Sequence, residues 1–158
     1  MKAKEYLSQA YRLDQRIDAK IEQVMSLRNL AAKATSTLSD AMPSGTRNIH
    51  RMEDIIIKII DFENEINADI DRLVDLKREI MRVIKALPNP EYQTLLELRY
   101  LCFKPWEQIA VEMGYSIDNV YKLHRMALKT LEAQESGHKK TLNYSGSCDI
   151  ITIAKNTT

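Results

Sequence analysis

The sequence has little of what β-rich, secreted or membrane proteins depend on. Its 158 residues include only 4 glycines, 4 prolines and 2 cysteines, and aromatics make up 6%. So few chain breakers leave little material for the repeated tight turns of a sandwich or barrel, and long helices are expected instead. Cys102 and Cys148 lie far apart and show no metal-ligand spacing. They fit a reduced, cytoplasmic protein better than a disulfide scaffold. No run approaches the ~20 apolar residues of a membrane span. The amino-terminal "MKAKEYLSQAYRLD" lacks the apolar core of a signal peptide. Phosphate-loop, nucleotide-binding and nucleophile motifs are missing, so neither catalysis nor a cofactor is expected. His50, His124 and His138 have no helical pairing with one another and no adjacent cysteine or ligand-type acidic cluster, which argues against a metal site.

What is present is charge, 28% of residues, with a formal balance of only +1. The balance is uneven along the chain. Residues 1–50 carry eight Lys/Arg against five Asp/Glu, residues 51–86 seven against nine, residues 87–135 five against seven, and residues 136–158 three against one. No segment is a strongly basic arm. Because phosphate neutralisation supplies most non-specific affinity for DNA, strong binding to DNA by the isolated chain is not expected.

The apolar residues recur with a helical period. Ala3, Ala10, Ile17, Val24 and Ala31 stand seven apart, joined by Tyr6, Leu13, Leu27 and Leu30, so one helix is expected over residues 3 to about 35. "TSTLSDAMPSGTRN", residues 35–48, reads as a loop. A second helix is expected over 49–87, where Met52, Ile59, Ile66, Leu73, Ile80 and Leu87 form an unbroken heptad row. Ile56, Phe62, Ile70, Leu76 and Val83 fill its companion positions, while Glu63, Asp69, Arg72 and Arg78 are assigned to the solvated face. A sustained seven-residue period specifies a left-handed coiled coil. Residues 1–87 are therefore expected to form a helical hairpin that oligomerises or docks a partner, most simply as a homodimer.

"LPNP" at 87–90 ends the long helix, since proline disfavours helical backbone in the residue before it. Beyond it, "WEQIAVEMGYSIDNVYKLHRMALKTL", residues 106–131, has the spacing of a helix-turn-helix. Such a motif needs a small residue in its first helix (Ala110), a turn residue tolerant of positive φ (Gly114), and inward apolar residues in its second helix (Val120 and Leu123). Ser116 is placed to cap that second helix, with Asp118 near its positive end. Recognition helices read base edges from their amino-terminal half, which makes Ser116, Ile117, Asp118, Asn119, Tyr121, Lys122 and Arg125 the candidate DNA-contacting residues. Asn119 suits adenine, Lys122 and Arg125 suit guanine or phosphate, and Asp118 suits a cytosine amino group. Lys104, Trp106 and Lys129 are candidate phosphate contacts, although Trp106 also fits as a packing residue and His124 as a structural one. Residues 88–135 are thus expected to be a DNA-binding domain, and residues 136–158, where periodicity fades and "CDIITI" has strand propensity, a flexible tail.

The segment from "LPNPEYQTLLELRYLCFKPWEQIAVEMGYSIDNVYKLHRMALKTL" resembles region 4 of the sigma-70 family, over about 45 of the 158 residues. The likeness rests on the leading "LP", "LRYL", the Trp-Glu-x-Ile-Ala helix, Gly114, Ser116, Val120 and "ALKTL". A coiled amino-terminal part before such an end is similar to phage and prophage late-gene regulators of Gram-positive bacteria of the ArpU and RinA type. The resemblance implies an all-α fold, a sequence-specific transcription regulator, and double-stranded DNA and RNA polymerase as partners. It departs from sigma factors at Ile117, Asn119 and Tyr121, where those proteins carry arginines, so promoter specificity does not transfer. Two other readings remain open: a coiled-coil interaction protein that mimics region 4 without binding DNA, and a phage DNA-packaging recognition subunit.

Overall fold

The computed structural model describes residues 2–38 and 45–142, and every regular element among them is helical. The order is α1 (Ala3–Leu7), α2 (Gln9–Leu38), α3 (Gly45–Lys85), α4 (Pro90–Tyr100), α5 (Trp106–Met113) and α6 (Ile117–Leu142). The all-α class expected from the scarcity of breakers is what forms. Helices α1 and α2 are parted only at Ser8, whose backbone stays right-handed and whose hydroxyl donates to the Lys4 carbonyl at 2.7 Å.

Helices α2 and α3 make an antiparallel hairpin. The cross-links show the direction: Arg16 and Lys20 reach Asp69, Lys20 also reaches Glu65, and Arg28, further along α2, reaches Glu63, further back along α3. At ~1.5 Å per residue the 41-residue α3 is roughly 60 Å long. The seam buries Leu13, Ile17 and Val24 of α2 against Ile66, with Ile59, Phe62, Leu73 and Leu76 half-buried around them.

Two expectations about this hairpin need correcting. The loop expected over 35–48 is shorter, because residues 35–38 and 45–48 are helical and only 39–44 lie outside the described residues. Thr35 stays in the helix by donating its hydroxyl to the Ala31 and Ala32 carbonyls, at 3.1 and 2.8 Å. The second correction concerns the companion row of α3. Ile56 and Ile70 are exposed, and the seam runs instead through Phe62, Asp69, Leu76 and Val83. Asp69, assigned to the solvated face, is buried in the seam because three cations of the hairpin converge on it.

The hairpin does not end where the carboxyl-terminal helices begin. Ile80 and Ile84 at the base of α3, and Leu87 just beyond it, share one core with Ala3, Leu7 and Ala10, with Leu95, Leu96 and Tyr100 of α4, and with the buried faces of α5 and α6. The Glu132 carboxylate accepts from the Ala3 backbone N–H at 3.2 Å, tying the first helix to the last. At the same joint Phe103 adopts φ 58°, its ring edge-on to Tyr11 at 5.4 Å and under the Lys77 ammonium at 4.5 Å. Replacing one of these fully buried leucines by alanine costs ~2–5 kcal/mol, so stalk and head are coupled through common packing. The expected tail also shrinks: α6 continues through Ser136 to Leu142. The strand-prone "CDIITI" lies outside the described residues.

Candidate nucleic-acid interface

The carboxyl-terminal helices are set by their caps. Asn89 accepts from the Glu91 N–H at 2.9 Å while Pro90 occupies the first turn of α4, where no N–H is needed. Gln93 turns back to donate to the Leu87 carbonyl at 2.7 Å, closing the corner from α3. Helix α5 ends at Gly114, with φ 70° and ψ 29°. The Tyr115 N–H then reaches the Ala110 carbonyl at 3.0 Å, a bond that only a left-handed residue at 114 permits. Ser116 caps α6: its hydroxyl lies 3.4 Å from the Asn119 N–H, and its carbonyl receives the Val120 N–H at 3.1 Å.

The resulting α5–turn–α6 unit packs as a helix-turn-helix must. Ile109 and Ala110 of α5 share one buried core with Val120, Ala127 and Leu131 of α6, and His124 of α6 is buried as well. Opposite them, Asp118, Lys122, Arg125 and Lys129 follow one another at helical spacing and are all exposed. An acid at the helix start followed by three cations makes a single charged stripe along the free face of α6. Ser116 and Tyr121 are exposed beside it, and Ile117 and Asn119 are half-buried.

The other candidates for phosphate contact sit differently. Lys104 donates to both carboxylate oxygens of Glu112, at 2.8 and 2.7 Å, and that pairing, with Gln108, holds the Glu112 carboxyl below its usual range. Its charge is thus neutralised within the fold. Trp106 is a packing residue. Its ring lies edge-on to His124 at 4.7 Å and to Tyr121 at 5.3 Å, with the Arg99 guanidinium 4.4 Å from its centre. The structure therefore brings Lys122, Arg125 and Lys129 together and leaves Lys104 and Trp106 out of that group.

His124 is buried and shares a 2.8 Å hydrogen bond with the Tyr100 hydroxyl, the two rings stacked 5.8 Å apart. Burial, with Lys4 and Arg99 nearby, pushes its imidazole down to about 4, and burial pushes the Tyr100 hydroxyl up to about 12. Both are neutral near pH 7, as a structural pair should be. Arg99 is the residue that sequence reasoning missed. It bridges Trp106 and the Lys104 carbonyl (2.9 Å), and nothing in its spacing on α4 signals either contact. Among the described residues no group of three or more His, Cys, Asp or Glu side chains is placed to hold a metal, and no helix is long and apolar enough to cross a membrane.

Fold and site together define an all-helical protein with a helix-turn-helix head on a helical hairpin. Residues 32–132 match the family described as "Protein of unknown function (DUF1492)", and the chain belongs to that family. The match begins near the end of α2 and takes in α3, α4, α5 and most of α6. No curated protein and no solved structure matches the chain.

Proposed function

We propose that this protein is a sequence-specific DNA-binding transcription regulator, of the kind that phages and prophages use, acting together with RNA polymerase. The observation that carries the reading is the free face of α6. Lys122, Arg125 and Lys129 stand exposed, with no acidic partner among the described residues, on a helix whose other face is fixed by Val120, His124 and Ala127. In this reading α6 enters the major groove with its amino-terminal half, where Asn119 and Arg125 meet base edges and Lys122 and Lys129 meet phosphates. The resemblance of the same segment to sigma region 4 supports polymerase as the co-factor of binding. Modest charge suits a reader whose affinity is multiplied by a linked partner.

A second reading is favoured by the net acidity of residues 87–135 and by the internal use of Lys104 and Arg99. There the head is a protein-docking surface that mimics region 4, and DNA is not its ligand. Gel shifts on DNA from the neighbourhood of its own gene, with and without RNA polymerase, separate the two. The first reading expects a shifted complex that Lys122→Ala with Arg125→Ala abolishes. Binding of polymerase alone, unaffected by that double substitution and with no DNA complex, would sink it.

A further inference from the structure

Helix α3 carries a second apolar seam that the hairpin leaves uncovered. Ile49, Ile56, Ile60, Ile70, Val74 and Met81 expose 40–53% of their surfaces, although large aliphatic side chains in a helix of a folded hairpin are ordinarily turned inward. They are not scattered. Together with Glu53, Glu63, Asn67 and Lys77 they fill every position of a strict 4-3-4-3 spacing from 49 to 81, about a quarter-turn around α3 from the seam that α2 covers. Two heptad seams on one helix are the pattern of a helix packed on two sides.

We propose that the occupant of this second seam is α3 of a second copy of the chain, running antiparallel and crossing at residue 65. The argument is that the stripe reads as its own complement when reversed about that residue. Ile60 then meets Ile70 of the second copy, and Ile56 meets Val74. Further out, Ile49 meets Met81. The polar positions match as well: Glu53 falls opposite Lys77, and Glu63 opposite Asn67, whose amide can donate to it. Antiparallel coiled coils layer one heptad row against the other, and every one of these pairs obeys that rule. A parallel arrangement would set each position against itself, stacking Glu53, Glu63 and Lys77 on like charges, so the antiparallel direction is selected.

The dimensions are sufficient. From Ile49 to Met81 the stripe is ~48 Å long and about 10 Å wide, which gives on the order of 1,000 Å² over two copies, where specific interfaces begin. Two flanking features are compatible with it. Arg28 of α2 pairs with Glu63 beside the crossing point, and the Lys77 ammonium already lies over Phe103 at the rim, where Glu53 of the second copy arrives. The product is a four-helix bundle with a head at each end. Each head begins about 30 Å from the crossing point, so the two stand at least ~60 Å apart, beyond the ~34 Å of half-sites one helical turn apart. The dimer does not depend on the DNA reading; only this last consequence does.

Sedimentation of the full chain, without DNA, tests the dimer independently of the proposed function. The expected species has twice the 18.3 kDa chain mass. Ile60→Lys places charges at two symmetric sites on an already exposed position, and should give a monomer with unchanged helical circular dichroism. Glu53→Lys or Lys77→Glu alone should weaken association by roughly tenfold or more, and the double exchange should restore it. In a Cys102→Ser, Cys148→Ser background, a mixture of Ile60→Cys and Ile70→Cys chains should form the mixed disulfide dimer. A wild-type chain that stays monomeric across the micromolar range, or pairs only with a different protein, overturns the proposal. So does a dimer that survives Ile60→Lys, or Ile60→Cys cross-linking preferentially to itself.

Discussion

The Lys20 ammonium lies 2.8 Å from an Asp69 carboxylate oxygen in the middle of the hairpin, at a layer where both heptad rows would otherwise place apolar side chains. Arg16 joins from the next turn at 3.2 Å, and Lys20 also reaches Glu65 at 2.9 Å. A single ionic layer in an apolar seam has one register in which it is satisfied, and it penalises slippage by a turn in either direction. The Lys20 hydrogen bond, then the charge of Arg16, holds the Asp69 carboxyl below its usual range against the opposing effect of burial.

Asp69→Ala is therefore expected to lower the thermal midpoint of the hairpin, because it leaves Lys20 without its main partner in a largely enclosed site. Lys20→Met with Asp69→Leu should recover or exceed the original midpoint, since an apolar layer of similar volume needs no desolvation of charge. What the double variant should lose is uniqueness of register. Thermal melts followed by circular dichroism, with a spin or fluorescence distance between α2 and α3, read both quantities. The contribution of Asp69 is present above the ordinary carboxylate pKa of about 4 and fades as pH falls through its lower folded value.

His124 gives the head a different acid response. Its folded pKa, about 4, lies below that of an unfolded histidine, so between roughly pH 6.5 and 4 the unfolded chain binds more protons than the folded one. Stability must then fall as pH falls through that window, by about 2 kcal/mol between pH 7 and 5. Below pH 4 this residue adds no further loss. Denaturant titrations at pH 7 and 5 should show the slope, and His124→Phe should remove most of it. An unchanged slope in that variant would place the acid sensitivity elsewhere.

How much of this was legible in advance depends on the range of the interaction. The helices and the motif are written in local spacing: the rows through Ile17 and Ile66, the positive-φ need at Gly114, the cap at Ser116. Those features act over one or two turns, and sequence shows them directly. The role of Asp69 was not legible, because a charge at a core position is recognised only once Lys20 and Arg16, some fifty residues away, are seen to face it. The same reason hid the uncovered face of α3. Ile56 and Ile70 fit the first seam about as well as the second by spacing alone, and only the placement of α2 decides between them. Lys104 and Lys122 likewise carry the same charge in the sequence, yet Glu112 neutralises one of them in the fold.

Gly114 isolates a purely backbone effect. A Cβ built at this glycine meets nothing within 4 Å, so substitution there costs no packing, only the left-handed conformation at φ 70°. Gly114→Ala should destabilise by about 1–2 kcal/mol, and Gly114→Asn by less, because asparagine tolerates that conformation. Chemical denaturation compares the three directly. A larger loss for alanine would mean that the turn moves, not merely that it is strained.

The sharpest test of the proposed recognition surface sets Lys122 and Arg125 against Lys104. All three are cations of the head, but only the first two lie on the free stripe of α6. With a DNA fragment that the wild type binds, replacing a phosphate-contacting lysine should lower the slope of log affinity against log salt by about 1, at all sequences alike. Arg125→Ala should instead cost about 1–3 kcal/mol at the preferred site and relax the preference there, if its guanidinium reads a base edge. Lys104→Ala should leave both slope and preference unchanged while lowering the melting temperature, because its ammonium is spent on Glu112. Equal salt slopes for Lys104→Ala and Lys122→Ala would show that the contact face is not the outer stripe of α6.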